Sequence, residues 1–284
     1  MEDSRPMQII DFRSYAPLKA TMDFISNPQT VAGKYVSQYG LTDMDRHIKD
    51  IPAFEKHMDD HGVSHTVIAC NGSLAEDVVD FANGSKRVVA IADIRPQNPA
   101  EVVRRIQRLY DNGARLVGLT PWKEDIPAND RIWYPIYAKC CELGMGCVIH
   151  ASFHFGKGVK LRSAHPLNLD DVAVDFPELR IVASHGGWPW MSDMVAVAWH
   201  HEHVYVELSG WRFKYLPQEH SGWDMIFQSG NGPLRDKILW GALWPFMPLD
   251  RQIAESKEMP FSPAVQQKLF HDNAHRLLTE LKAI

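Results

Sequence analysis

The stretch ARLVGLTPWKEDIPANDRIWYPIYAKCCELGMGCVIHA, residues 114–151, carries one complete strand–helix–strand unit. Its two ends, ARLVGLT (114–120) and MGCVIHA (145–151), are short apolar runs of the kind shown by strands buried on both faces. Between them, residues 131–143 space Ile132, Ile136 and Cys140 four apart with Trp133 and Tyr137 alongside, which predicts a helix with one apolar face. ELGMG then turns the chain into the second strand. Units of this kind, joined by short loops, imply parallel pairing.

The same unit recurs in both directions. Further apolar runs are QIIDF (8–12), HTVIAC (65–70), RVVAIADI (87–94), LRIVASH (179–185), VYVELS (204–209) and KILWGAL (237–243), which brings the strand count to eight. An amphipathic segment over 99–112 opens after Asn98 with Pro99 at its first position, and Asn112-Gly113 ends it. Eight β–α units predict an α/β fold in which a single-domain (β/α)8 TIM barrel spans residues 1–284. A doubly wound open sheet is the alternative, but no GxGxxG follows any strand. The net charge of −5, without a Lys or Arg run, excludes a nucleic-acid or anionic-membrane partner. No apolar run approaches the roughly 18 residues that span a bilayer, and the N-terminus reads as lacking an apolar leader. Cys70, Cys140, Cys141 and Cys147 form no CxxC pair, so reduced thiols and a cytoplasmic setting are expected.

In this architecture chemistry sits at the C-terminal ends of the strands. The candidates there are Asp11, Arg13, Tyr15, Cys70, Asn71, Asp93, Arg95, Thr120, Trp122, His150, His154, His185, Glu207, Ser209, Leu243 and Trp244. So many Arg, His, Tyr and Trp side chains suit a small planar or carboxylated substrate.

Three segments resemble the amidohydrolase-related family, the group that includes aminocarboxymuconate-semialdehyde decarboxylase and pyrone-dicarboxylate lactonase. They are IIDFRSYAP (9–17); VIHAS (148–152) with SHGGWPW (184–190); and ILWGALWP (238–245) with HDNAHRLL (271–278). The resemblance covers essentially the whole chain and implies that the barrel is a TIM barrel of the metal-dependent hydrolase type. It implies that His150 stands where metal-dependent members carry a strand-five ligand, and His185 where they carry an acid–base histidine. It also implies that Arg13, Tyr15 and Leu243 stand where the other ligands would be. Arginine offers only donors, leucine offers nothing, and a neutral phenol is a poor zinc ligand. The expectation is therefore no metal and no cofactor.

Arg13 could be a solvated charge or a partner of Asp11; at a barrel mouth its planar fork would bind a substrate carboxylate. His185 precedes Gly186-Gly187, where a ligand could approach the backbone closely, and is expected to exchange protons with a pKa between 5 and 8. His150 and Glu207 complete the catalytic set, against the plainer reading of packed core residues. Tyr15, His154, Trp122, Trp188 and Trp244 are expected to bind substrate, although WPW (188–190) and LWPF (243–246) suit a subunit interface equally. Cys70 reads as an inert buried thiol, His57 and His61 as a solvated helix face, and His200, His201 and His203 as surface residues. The loop 152–166, with Lys157, Lys160 and Arg162, could form a basic lid over an anion. Together these readings predict a metal-independent hydrolase, of lactonase or lactone-isomerase type, acting on a small carboxylated or lactone substrate as a homo-oligomer, with a dimer expected. The alternatives are a metal-assisted decarboxylase and a non-catalytic metabolite-binding barrel.

Overall fold

A computed structural model describes residues 7–38 and 47–284; residues 1–6, on which the expectation about a leader rests, lie outside them. The described residues contain eight strands: β1 (Ile9–Tyr15), β2 (Val63–Ala69), β3 (Val88–Asp93), β4 (Leu116–Leu119), β5 (Gly146–His150), β6 (Ile181–Ser184), β7 (Val204–Glu207) and β8 (Ile238–Leu239). They pair in parallel in sequence order. The ring closes between β1 and the segment after β8, where Phe12 N donates to Trp240 O (2.9 Å), Leu243 N to Arg13 O (2.7 Å) and Tyr15 N to Trp244 O (2.9 Å). The predicted (β/α)8 barrel is therefore the observed fold.

Alternation along the strands builds two cores. Ile10, Phe12, Val67, Ile91, Val148, Val182 and Leu239 fill the barrel interior. Ile9, Val117, Ile149 and Ile181 face the helices and meet Val78, Ile106, Ile136 and Met194. The helix Pro99–Asp111 starts as the sequence predicts, with the Asn98 side chain accepting from Ala100 N at 3.0 Å. The predicted helix over 131–143 instead opens as a 3-10 turn, Arg131–Trp133, before the α-helix Tyr134–Leu143. That tighter turn changes the phase, so Trp133 is buried and Ile132 is exposed. No described helix is long and apolar enough to cross a membrane.

Candidate active site

Arg13 and Tyr15 of β1 both reach the barrel mouth although Ile10 and Phe12 face the interior below, because the strand is irregular. Its register against β2 shifts between Asp11 and Ser14, so three steps on β1 oppose two on β2. A bulge of this kind re-aims side chains. Ile10 and Phe12 face inward below it, and Tyr15 faces inward above it. Asp11 stabilises the bulge: its carboxylate accepts from Arg13 N (3.1 Å), Ser14 Oγ (2.5 Å) and, across the closure, Ala242 N (2.9 Å). Asp11 therefore holds the backbone and forms no ion pair with the Arg13 guanidinium, correcting one reading of the sequence.

The mouth opens into a cavity of about 430 Å³ lined by Arg13, Tyr15, Trp122, His150, His154 and His185 among others. Aromatic side chains, among them Phe153, Trp211 and Phe246, form much of its wall. Trp122 stacks on His154 at 4.8 Å with an interplanar angle of 6°. The His150 and His185 rings stand 5.0 Å apart, edge to face. From the helix Val31–Gln38, Tyr35 reaches over the mouth, donates to Gly210 O and packs against Phe155 and Phe246. No described carboxylate lies within ion-pair distance of the Arg13 guanidinium, whose Cζ sits 5.5 Å from the Tyr15 ring centre. Burial works against the Arg13 charge, but Tyr15, Asp93 and Glu207 outweigh it and hold the pKa above its ordinary value. Arg13 Nε, Trp122 Nε1 and His150 Nδ1 are buried without a hydrogen-bond partner among the described residues.

His185 follows β6 in a left-handed conformation, φ 71°. Its Nδ1 lies 3.1 Å from the backbone oxygen of Ser209, and a carbonyl only accepts. The neutral ring therefore carries its proton on Nδ1 and keeps the Nε2 lone pair available. Burial, then the nearby Arg13 charge, lowers the His185 pKa to about 3. His150 is likewise held well below its ordinary value, chiefly by burial. At a pKa of about 3 the His185 ring stays neutral between pH 5 and 8 in the free protein, contrary to the sequence expectation for this residue. Gly186 and Gly187 also have a different use: a Cβ there would meet Trp223 at 2.5 Å and Met194 at 2.5 Å, so these glycines admit core side chains and not a ligand.

Glu207 ends β7 but does not line the cavity. It is fully buried, accepts from Ser209 N and from Ser209 Oγ (3.0 Å), and stands 4.0 Å from His185 Nδ1. It supports the Ser209–His185 contact from below the mouth. Burial pushes its pKa up to about 7, against the opposing pull of Arg13 and Ser209. The folded protein thus keeps a proton that the unfolded chain releases near 4.5. That contribution to stability is present below about pH 4.5 and lost as the pH rises through 7. His185 and His150 act in the opposite sense below pH 6.5, so the effect is isolated by comparison with Glu207→Gln. Relative to the native protein, this variant should gain roughly 2–3 kcal/mol between pH 5 and 8. Urea unfolding at both pH values checks this, and parallel stability curves would refute it.

Other predicted residues lie elsewhere. Trp244 is buried outside the barrel wall, 5.5 Å from Phe54 and 5.2 Å from His57 by ring centres. Trp188 packs between Phe153 and Trp211 and donates from Nε1 to Ser221 O at 3.1 Å; neither tryptophan lines the cavity. His57 and His61 are half-buried and 4.6 Å apart, not a solvated face. His201 pairs with Asp170 at 2.7 Å. Cys70 donates to Ile91 O, and burial pushes its thiol pKa up. Lys157, Lys160 and Arg162 point to solvent, and Lys160 pairs with Asp125, so the loop 152–166 supplies Phe153, His154 and Phe155 to the wall in place of a basic lid. The cations at the mouth are Arg13, Arg95 and Lys123. The sequence reading missed Lys123, Tyr35 and Trp211; the first follows Trp122 directly and could have been found by extending the strand-end rule one turn into the loop, whereas Phe246 belongs to the LWPF segment that suited a pocket wall or an interface.

The donors present do not fit a divalent metal. Of Arg13, Tyr15, His150 and Leu243, one offers an imidazole, and the guanidinium repels a cation. Among the described residues no group of three or more His, Cys, Asp or Glu is placed to hold one.

A family model described as amidohydrolase matches residues 38–279. Over 71 residues the chain is 35% identical to a 2-keto-4-carboxy-3-hexenedioate hydratase of Sphingobium sp. (strain NBRC 103272 / SYK-6); the match spans 22% of this chain and 21% of the hydratase. An uncharacterized TIM-barrel protein from Bordetella bronchiseptica has a similar structure, with a TM-score of 0.83 and 25% identity, over 97% of this chain and 99% of that one. A probable 2-pyrone-4,6-dicarboxylic acid hydrolase from Acinetobacter baumannii, with citric acid bound, gives 0.67 at 17% identity over 96% and 100% of the two chains. A 2,6-dihydroxybenzoate decarboxylase from Rhizobium gives 0.66 at 15% over 96% and 99%. At these lower identities the likeness is one of fold.

Proposed function

The chain belongs to the amidohydrolase family, and within it we propose a metal-independent enzyme that adds water to a small planar carboxylated substrate, such as a lactone. The observation that carries this reading is Arg13: a half-buried guanidinium at the centre of an aromatic cavity, with no carboxylate of the described protein paired to it. A substrate carboxylate supplies that partner. Tyr15 and Trp122 then flank a flat ring, and His185 offers Nε2 to a hydroxyl or a water. Neutralising Arg13 also removes the second cause of the low His185 pKa, so the imidazole becomes more basic once substrate is bound.

The test uses isophthalate, an inert planar dicarboxylate, in titration calorimetry. Both Arg13→Ala and Arg13→Lys should weaken binding by about tenfold or more, since a charge-assisted hydrogen bond contributes ~1.5–3 kcal/mol and lysine lacks the planar fork. Full binding by Arg13→Lys would reduce the role to a point charge.

Metal content is a separate test. Elemental analysis should find far less than one equivalent of zinc, manganese or iron, and chelators should leave turnover unchanged. Stoichiometric metal whose removal abolishes turnover would restore the metal-assisted decarboxylase reading.

A further inference from the structure

Adding water to a lactone requires a group that accepts a proton from water, and Leu243, beside the mouth after β8, offers none. The two cavity histidines are weak bases in the free protein, and Glu207 lies below the mouth. Among the described residues lining the cavity, the one carboxylate is Asp93, the last residue of β3.

Half-buried, it differs in its placement from the buried acids Asp11 and Glu207. Asp11 accepts three hydrogen bonds and Glu207 two, whereas the Asp93 side chain has no hydrogen bond or ion pair to any described residue. Its oxygens are open to a ligand. β4 makes room for it: a Cβ on Gly118 would lie 2.1 Å from Asp93 Oδ1, so a side chain there would displace the carboxylate. Asp93 also lines a second chamber of about 370 Å³, which shares Cys70, Asn71, Thr120 and Lys123 with the first and extends to Arg105 and Trp133. The carboxylate thus stands in the wall common to both chambers. The Trp133 Nε1 donor in the second chamber is buried without a partner, which marks that space as polar.

We propose that Asp93 is the proton-transferring carboxylate of this site, acting on a water admitted through the second chamber while the planar substrate occupies the first. The proposal rests on the reading of the cavity as a water-adding site for planar carboxylates. In the step, an O–H bond of water breaks and its proton passes to Asp93 as the water oxygen bonds to the lactone carbonyl carbon, whose π pair moves onto the carbonyl oxygen and re-forms the double bond when the ring oxygen leaves. The ring C–O bond then breaks, and Asp93 returns the proton to the departing ring oxygen. No other reactant is consumed. The groups facing Asp93 are Arg13 and Tyr15 from β1, Cys70 after β2, Arg95 just beyond β3 and Lys123 in the short helix Pro121–Glu124. Burial raises its pKa above the ordinary aspartate value while Lys123, Arg13 and Arg95 pull it back. A raised pKa suits a group that must both take and return a proton.

Asp93→Asn keeps the shape beside Gly118 and removes a half-buried charge, so folding should persist. Two measurements test the assignment. With 2-pyrone-4,6-dicarboxylate as the lactone probe, Asp93→Asn should lower turnover by about a hundredfold or more. It should bind isophthalate at least as tightly as the native protein, because a negative charge near Arg13 has gone. Independently of turnover, calorimetry in two buffers of different ionisation enthalpy reports proton uptake. A bound dianion raises the Asp93 pKa, so isophthalate should take up protons in mildly acidic buffer, and Asp93→Asn should lose that uptake while Glu207→Gln retains Asp93's share. Native turnover in Asp93→Asn, or unchanged proton uptake, would overturn the proposal. Native affinity in Arg13→Ala, with uptake still lost in Asp93→Asn, would overturn the carboxylate clamp and leave Asp93 standing. Isophthalate that gives no binding heat with the native protein would remove the ligand class on which both rest.

Discussion

His185→Asn is expected to lower turnover of a planar lactone carboxylate by about 10²–10⁴-fold while the fold persists. The backbone supports this substitution, since residue 185 has φ 71° and asparagine is among the few non-glycine residues that adopt the left-handed region readily. The Asn amide can keep the hydrogen bond to Ser209 O but cannot also present a basic lone pair where Nε2 stands. The pH profile separates this role from simple titration. With its pKa near 3 in the free protein, His185 contributes no limb between pH 5 and 8 to kcat/KM, so the variant should show a lower profile of unchanged shape. Native turnover in a folded His185→Asn protein would remove the residue from the chemistry. A limb near pH 6 that disappears in the variant would instead show that the free imidazole titrates normally.

The strand-end rule reached Arg13, Tyr15, Trp122, His150, His154 and His185 from sequence because strand ends face the mouth by geometry, whatever the substrate. It did not reach their environments. The same two histidines would titrate near neutrality in water; burial beside Arg13 decides otherwise, and burial is a property of the closed ring, not of the SHGG segment. Glu207 stands at a strand end yet points beneath the mouth, where Ser209 takes both its oxygens and Gly241 leaves it room, with a Cβ there only 2.6 Å from Oε1. Asp93 was visible as a strand-end carboxylate, but only the fold shows that Gly118 of the neighbouring strand is cut away for it. Tyr35 escaped because its helix, Val31–Gln38, lies between the first two strands and carries no motif. Leu243 shows how far a resemblance can be carried. It occupies a left-handed position, φ 61°, that a branched apolar residue adopts at a cost of about 1–3 kcal/mol, and its side chain offers no ligand.

Trp244 and Trp122 should separate stability from binding. Trp244 is 1% exposed and packs against Phe54 and His57 outside the barrel wall. Its replacement by alanine should cost about 3–5 kcal/mol in urea unfolding, the range for a large aromatic lost from a packed core. Isophthalate affinity of the molecules that remain folded should stay native, because the ring never meets the cavity. If Trp244→Ala fails to fold, Trp244→Phe should recover most of the stability by keeping a ring against Phe54. Trp122 lines the mouth, stacks on His154 and leaves its Nε1 without a partner among the described residues. Trp122→Ala should therefore lose less stability and more binding: stacking contributes about 0.5–1.5 kcal/mol beyond burial, and the lost donor adds about as much again, which together reach tenfold in affinity. The opposite pattern, a stable Trp244→Ala with weak binding beside a Trp122→Ala that binds normally, would return Trp244 to the pocket wall and discard the cavity described for this barrel.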